Sequence, residues 1–195
     1  VTGLILRGVF LCRGQDIRWF YQDGASHVFP DYWADYLEPI PEAERDDLVA
    51  AYHRRLNGRD EIARLHAARA WSVWEGRCAT LRPEPEVVDY FANAHHALSI
   101  ARIENHYFSH DAFLERPLLD GMERLADIPA HIVHGRYDMV CPIDQAFALR
   151  DRWPQAELEV IEDAGHAASE PGIVDALVRA TDRFADQLAR GGGGA

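Results

Sequence analysis

The last third of the chain alternates strand and helix, and this alternation limits the possible folds more than any other feature. "AHIVHG" is a short apolar strand ending at Gly135, and "PIDQAFALRDRW" reads as a helix with Pro142 in its first turn. "AELEVIE" alternates like a strand, and "PGIVDALVRATDRFADQLA" is a closing amphipathic helix. Strand, helix, strand and helix at this spacing predict parallel strands joined by helical crossovers. In open parallel sheets, functional residues gather just past the C-terminal ends of the strands.

A further apolar, β-branched strand is predicted over Thr2 to Phe10. With no earlier element to pack on, it is expected to begin in the middle of a domain. After it, "IRWFYQDGASHVFPDYW" is expected to be irregular. Helices are expected from Pro41 to Gly58, from Asp60 to about Cys78, and from about Val87 to near Phe108, with "RPEPE" breaking the last two apart. The tail "GGGGA" is expected to be flexible.

Hydrophobic residues make up 48% of the 195, enough for a core. Acids outnumber bases 32 to 20, giving a net charge of -12. That balance argues against nucleic acid and against anionic membrane surfaces, both of which need a basic patch. No apolar run approaches the length of a membrane span. Cys12, Cys78 and Cys141 are far apart and odd in number, which points to reduced thiols in a cytoplasm.

Two strand-end positions stand out. "HGRYDMVCP" places Asp138 on the loop after one strand, and "EDAGH" places His166 on the loop after the next. Either residue alone would be an ordinary solvated or capping group. Together, on adjacent parallel strands, the carboxylate can hold one imidazole nitrogen and leave the other free to take a proton from a nucleophile. The order Asp then His is that of an α/β hydrolase.

"GRYDMVCP" followed by "DAGHAASEP" resembles the C-terminal part of an α/β hydrolase. "LRGVFL", "WFYQDGAS", "AWSVWEG" and "ARIENHYF" resemble the proline iminopeptidases more particularly, serine aminopeptidases that remove N-terminal proline. The resemblance runs from residue 1 to about 185. It implies a partial α/β-hydrolase fold: a core strand over 1–10, a mostly helical cap over 11–126, a C-terminal α/β core over 127–190, and a glycine tail over 191–195. It implies Asp138 and His166 as catalytic residues. It also implies Glu75 and Glu104 as acceptors for the substrate's protonated secondary amine, with Phe10, Phe20, Phe108 and Cys141 lining an apolar slot for the proline ring. Phe20 stands where relatives often show tyrosine.

The family's serine sits in a G-x-S-x-G elbow, and none of Ser26, Ser72, Ser99, Ser109 and Ser169 is flanked by such glycines. The chain is therefore expected to be the cap and C-terminal half of such an enzyme, inactive alone. Self-association or pairing with a separate N-terminal half stays open, because a sheet lacking its first strands exposes an edge. No cofactor or metal is expected. His131 and His134 point to opposite faces of a strand, His95 and His96 diverge on a helix, and His106 with His110 lacks a third ligand. Two alternatives also remain. One is another α/β hydrolase, an esterase or an epoxide-hydrolase-like enzyme with an aspartate nucleophile, which would not need two buried cap acids. The other is a non-catalytic fragment that only binds.

Overall fold

The central strand is the most buried element. The structure, a computed structural model, describes residues 1–191. Among them, β1 (Leu4–Arg7), β2 (Ala130–Gly135) and β3 (Ala156–Ile161) form a parallel sheet in the order β1-β2-β3, and all six β2 residues are buried. Leu6 pairs with Ile132, and Ile132 with Leu158. Successive side chains of β2 serve opposite faces. Ile132 joins Val9, Leu11, Ala146, Leu149 and Trp153 on the side of α7 (Asp144–Asp151). Val133 joins Ala164, Ile173 and Ala176 on the side of α8 (Pro171–Gly191). Burying a side chain such as Ile132 stabilises this sandwich by roughly 1.5–3 kcal/mol.

The chain divides into two compact units, one of Val1–Leu11 with Arg116 onward, the other Cys12–Glu115. The second is inserted in the first and is helical: α1 (Gly14–Tyr21), α2 (Pro30–Leu37), α3 (Leu48–Leu56), α4 (Glu61–Cys78), α5 (Pro85–Ala92) and α6 (Ala94–Phe108). Its core is aromatic. Trp71 and Trp74 of α4 are buried with Tyr36, Tyr52 and Phe20.

Several boundaries differ from those expected. The first strand ends at Arg7, because Gly8 turns out of the ladder at φ 54°. The stretch expected to be irregular holds α1 and α2: Asp16 accepts the Arg13 backbone N–H at 2.9 Å, and Pro30 occupies the first turn of α2. The helix expected from Pro41 begins at Leu48, where Asp47 accepts the Ala50 N–H at 3.0 Å. The third expected helix is two, because Asn93 leaves helical geometry and its side chain caps α6 at the His95 and His96 N–H groups. Residues 116–126, expected in the cap, belong to the sheet unit: Met122 is buried there, with Leu119 and Leu125 packed alongside. The glycine tail beyond Gly191 lies outside the described residues.

Candidate active site

Gly135 closes β2, and a Cβ there would lie 2.0 Å from the Gly165 carbonyl oxygen. No side chain fits, so glycine lets the loops after β2 and β3 touch. They are knitted by Arg136 N–H to Ile161 O at 2.9 Å and Tyr137 N–H to Ala164 O at 3.0 Å. This brings Asp138 Oδ2 to 2.8 Å from His166 Nδ1. A carboxylate only accepts, so Nδ1–H donates and Nε2 keeps its lone pair.

Both partners are held from behind. Asp138 Oδ1 accepts the N–H groups of Cys141 at 2.7 Å and Val140 at 3.1 Å. Arg7 donates to the His166 carbonyl at 2.5 Å, and the Glu170 carboxylate accepts the Gly165 N–H. Asp138 is 3% exposed, while the His166 side chain is 23% exposed, so the carboxylate is shielded and the imidazole is reachable.

His134 is a site residue that sequence reasoning weighed only as a metal ligand. It is fully buried; Nδ1 accepts the Val9 N–H at 3.2 Å, and Nε2 donates to the Cys141 carbonyl at 2.8 Å, 3.4 Å from Asp138 Oδ2. Burial lowers its pKa below the usual histidine range, against the opposite pull of Asp138. The neutral ring therefore ties the chain after β1 to the Asp138 loop. His131, on the other face, meets Glu159 and Arg183.

In the helical unit, Glu75 is 8% exposed and accepts the Tyr21 hydroxyl at 2.5 Å. The Trp71 indole N–H donates to Glu104 Oε2 at 3.0 Å, and Glu104 lies close enough to Glu75 to act on its carboxyl group. Burial, then the Glu104 charge, pushes the Glu75 carboxyl well above the usual range. Tyr21 stacks on Trp71 at 4.3 Å and meets Phe20 at 4.9 Å and Phe108 at 5.2 Å. The structure thus gathers Glu75, Glu104, Phe20 and Phe108 around Tyr21 and Trp71, and places Cys141 with Asp138 and His166. Phe10 is half-buried in the segment after β1. Sequence reasoning missed Tyr21 and Trp71 as partners of the acids, although both lie in the motifs "WFYQDGAS" and "AWSVWEG".

The class follows from a family model described as alpha/beta hydrolase fold, which matches residues 21–172. The chain belongs to that family, and its architecture is a partial α/β-hydrolase fold with an inserted helical unit. More particularly, it is similar to a proline iminopeptidase of Xanthomonas citri, 54% identical over 184 residues, covering 93% of this chain and 59% of the relative. A probable proline iminopeptidase of Leptolyngbya boryana is 52% identical over 191 residues (97% and 60%). The proline iminopeptidase of Arabidopsis thaliana is 47% identical over 187 residues (94% and 49%). The chain spans between 49% and 60% of the length of these relatives.

Proposed function

We propose that the complete protein is a serine aminopeptidase that releases N-terminal proline from peptides, and that this chain supplies its acid-base pair and its amine-binding acids. His166 Nε2 takes the proton of a serine hydroxyl as that oxygen attacks the proline carbonyl, then returns it to the leaving amine. Asp138 holds the Nδ1–H throughout. The serine comes from polypeptide outside this chain, which has no G-x-S-x-G elbow of its own. Cys141 and Phe10 contribute apolar surface in the sheet unit, and Phe20 and Phe108 in the helical unit. Three cysteines without a disulfide among the described residues fit a reducing cytoplasm.

The observation that carries the substrate class is the pairing of the buried Glu75 with the half-buried Glu104. An Asp-His dyad serves any hydrolase with a serine nucleophile. A pair of carboxyl groups among aromatic side chains suits a ligand with two N–H donors and a positive charge, as in the pyrrolidinium of N-terminal proline. A cation that displaces the Glu75 proton leaves two carboxyl groups to accept those two donors.

The test compares Glu75→Gln and Glu104→Gln in the complete protein, on a proline arylamide with a free amine and on a simple aryl ester. Loss confined to the free-amine substrate is expected. Equal retention of both activities would return the reading to a general esterase. The 195-residue chain alone is expected to turn over neither.

A further inference from the structure

The loop that carries Asp138 also presents a thiol. Asp138, Cys141 and His166 each offer a ligand atom, and the three atoms lie within 4.8 Å of one another. Asp138 Oδ1 accepts the Cys141 N–H at 2.7 Å, and this turn sets thiol and carboxylate on one side. The His134 bond to the Cys141 carbonyl, the Val140 N–H bond to Asp138, and the Arg7 bond to the His166 carbonyl hold the three residues in place.

We infer that Asp138, Cys141 and His166 form a site for one soft divalent cation of the zinc class, and that its occupancy withdraws His166 from proton transfer. One sulfur, one imidazole nitrogen and one carboxylate oxygen make a donor set for zinc, cadmium or cobalt, whereas magnesium and calcium require oxygen alone. Thiolate and carboxylate together carry two negative charges, which a divalent ion neutralises. Three protein ligands leave the fourth tetrahedral position open.

Either imidazole nitrogen gives the same outcome. A cation at Nδ1 displaces the proton that His166 donates to Asp138, and a cation at Nε2 occupies the lone pair that would accept the nucleophile's proton. Binding also releases the Cys141 thiol proton, so affinity rises with pH. Among the described residues, neither Cys12 nor Cys78 belongs to such a three-ligand group.

The metal-binding half is independent of the peptidase reading, and the inhibition half rests on it. The first arm titrates the reduced 195-residue chain with Cd²⁺ and follows the ultraviolet thiolate-to-cadmium absorption. One cadmium per chain is expected, with the band lost in Cys141→Ser, kept in Cys12→Ser, and weakened in His166→Gln, whose partly exposed side chain can be replaced without opening the core. Circular dichroism checks that each variant folds. A band that survives in Cys141→Ser, or no band in the folded wild type, overturns the ligand set. The second arm adds Zn²⁺ to the complete protein, where inhibition reversed by chelation is expected. If cadmium binds through Cys141 while Zn²⁺ leaves turnover unaltered, the ligand set stands and the role of His166 as base falls.

Discussion

Gly8 tests the placement of the base from an unexpected side. It adopts φ 54°, and a Cβ there would lie 3.0 Å from His166 Cε1 and 3.3 Å from Nδ1. Gly8→Ala therefore meets two costs. Left-handed backbone costs a residue with a Cβ about 1–2 kcal/mol. The ring must also retreat by a few tenths of an ångström, although its carbonyl is tied by Arg7 and its Nδ1 sits 2.8 Å from Asp138. The backbone cost alone lowers the melting temperature of a chain this size by about 2–8 °C. The ring displacement is expressed in catalysis: a misplacement of about 1 Å can cost about 10²-fold, so a shift of a few tenths of an ångström is expected to slow turnover by less than that. Thermal unfolding of this chain reads the first effect, and kcat of the complete protein on a proline arylamide reads the second. Gly14→Ala is the control, because nothing lies within 4 Å of a Cβ at that position. A Gly8→Ala protein that melts like wild type and keeps its kcat would refute the placement of His166.

Two further outcomes concern pH and stability. Glu75→Gln is expected to stabilise the helical unit at neutral pH and to flatten a loss of stability that wild type shows as pH rises above the ordinary carboxyl value of 4.5; the sign follows because the buried carboxyl titrates above that value in the folded state. Urea unfolding of both proteins from pH 4 to pH 8 checks it. His134 has the opposite sign, since a histidine held neutral by burial gives its full stability above the ordinary value of 6.5, and loses it as pH falls below that value toward the folded one. His134→Gln, which can still accept from Val9 and donate to Cys141, should unfold less readily in mild acid than wild type, whereas His134→Phe should cost about 1–3 kcal/mol for each backbone group it orphans.

The sheet unit was legible because its signals are local and redundant. Apolar strands end in glycine or acid, α8 opens on proline while Pro142 falls just ahead of α7, and Asp138 and His166 sit on the loops that follow their strands. The helical unit was harder to read, because its order depends on capping and aromatic burial. Nothing periodic in "IRWFYQDGASHVFPDYW" announces α1 and α2; the buried Asp16 cap and the Trp33, Tyr36 and Trp74 contacts create them. Asn93 illustrates the same point: its dihedrals and side-chain cap cut a continuous helical pattern in two. At the site, residue types were readable and partners were not. His134 was weighed and set aside as a metal ligand, because strand parity says where a side chain points and not which backbone groups await it.

The two acidic devices are built on opposite principles, and the difference bears on what the complete protein can select. Asp138 is surrounded by donors: two backbone N–H groups and an imidazole. That environment offers donors alone, which is what fixing a tautomer demands. Glu75 receives one hydroxyl, lies among aromatic rings, and faces a second carboxyl group. That environment favours a carboxyl that keeps a proton until a cation replaces it. An incoming amine that brings its own charge relieves the repulsion between the acids, while a neutral acylated proline or an ester does not. Under the proposed function, selectivity for a free N-terminus would arise from the electrostatic cost of the empty pair, and affinity for a cationic ligand should weaken in Glu75→Gln although that variant is the more stable protein.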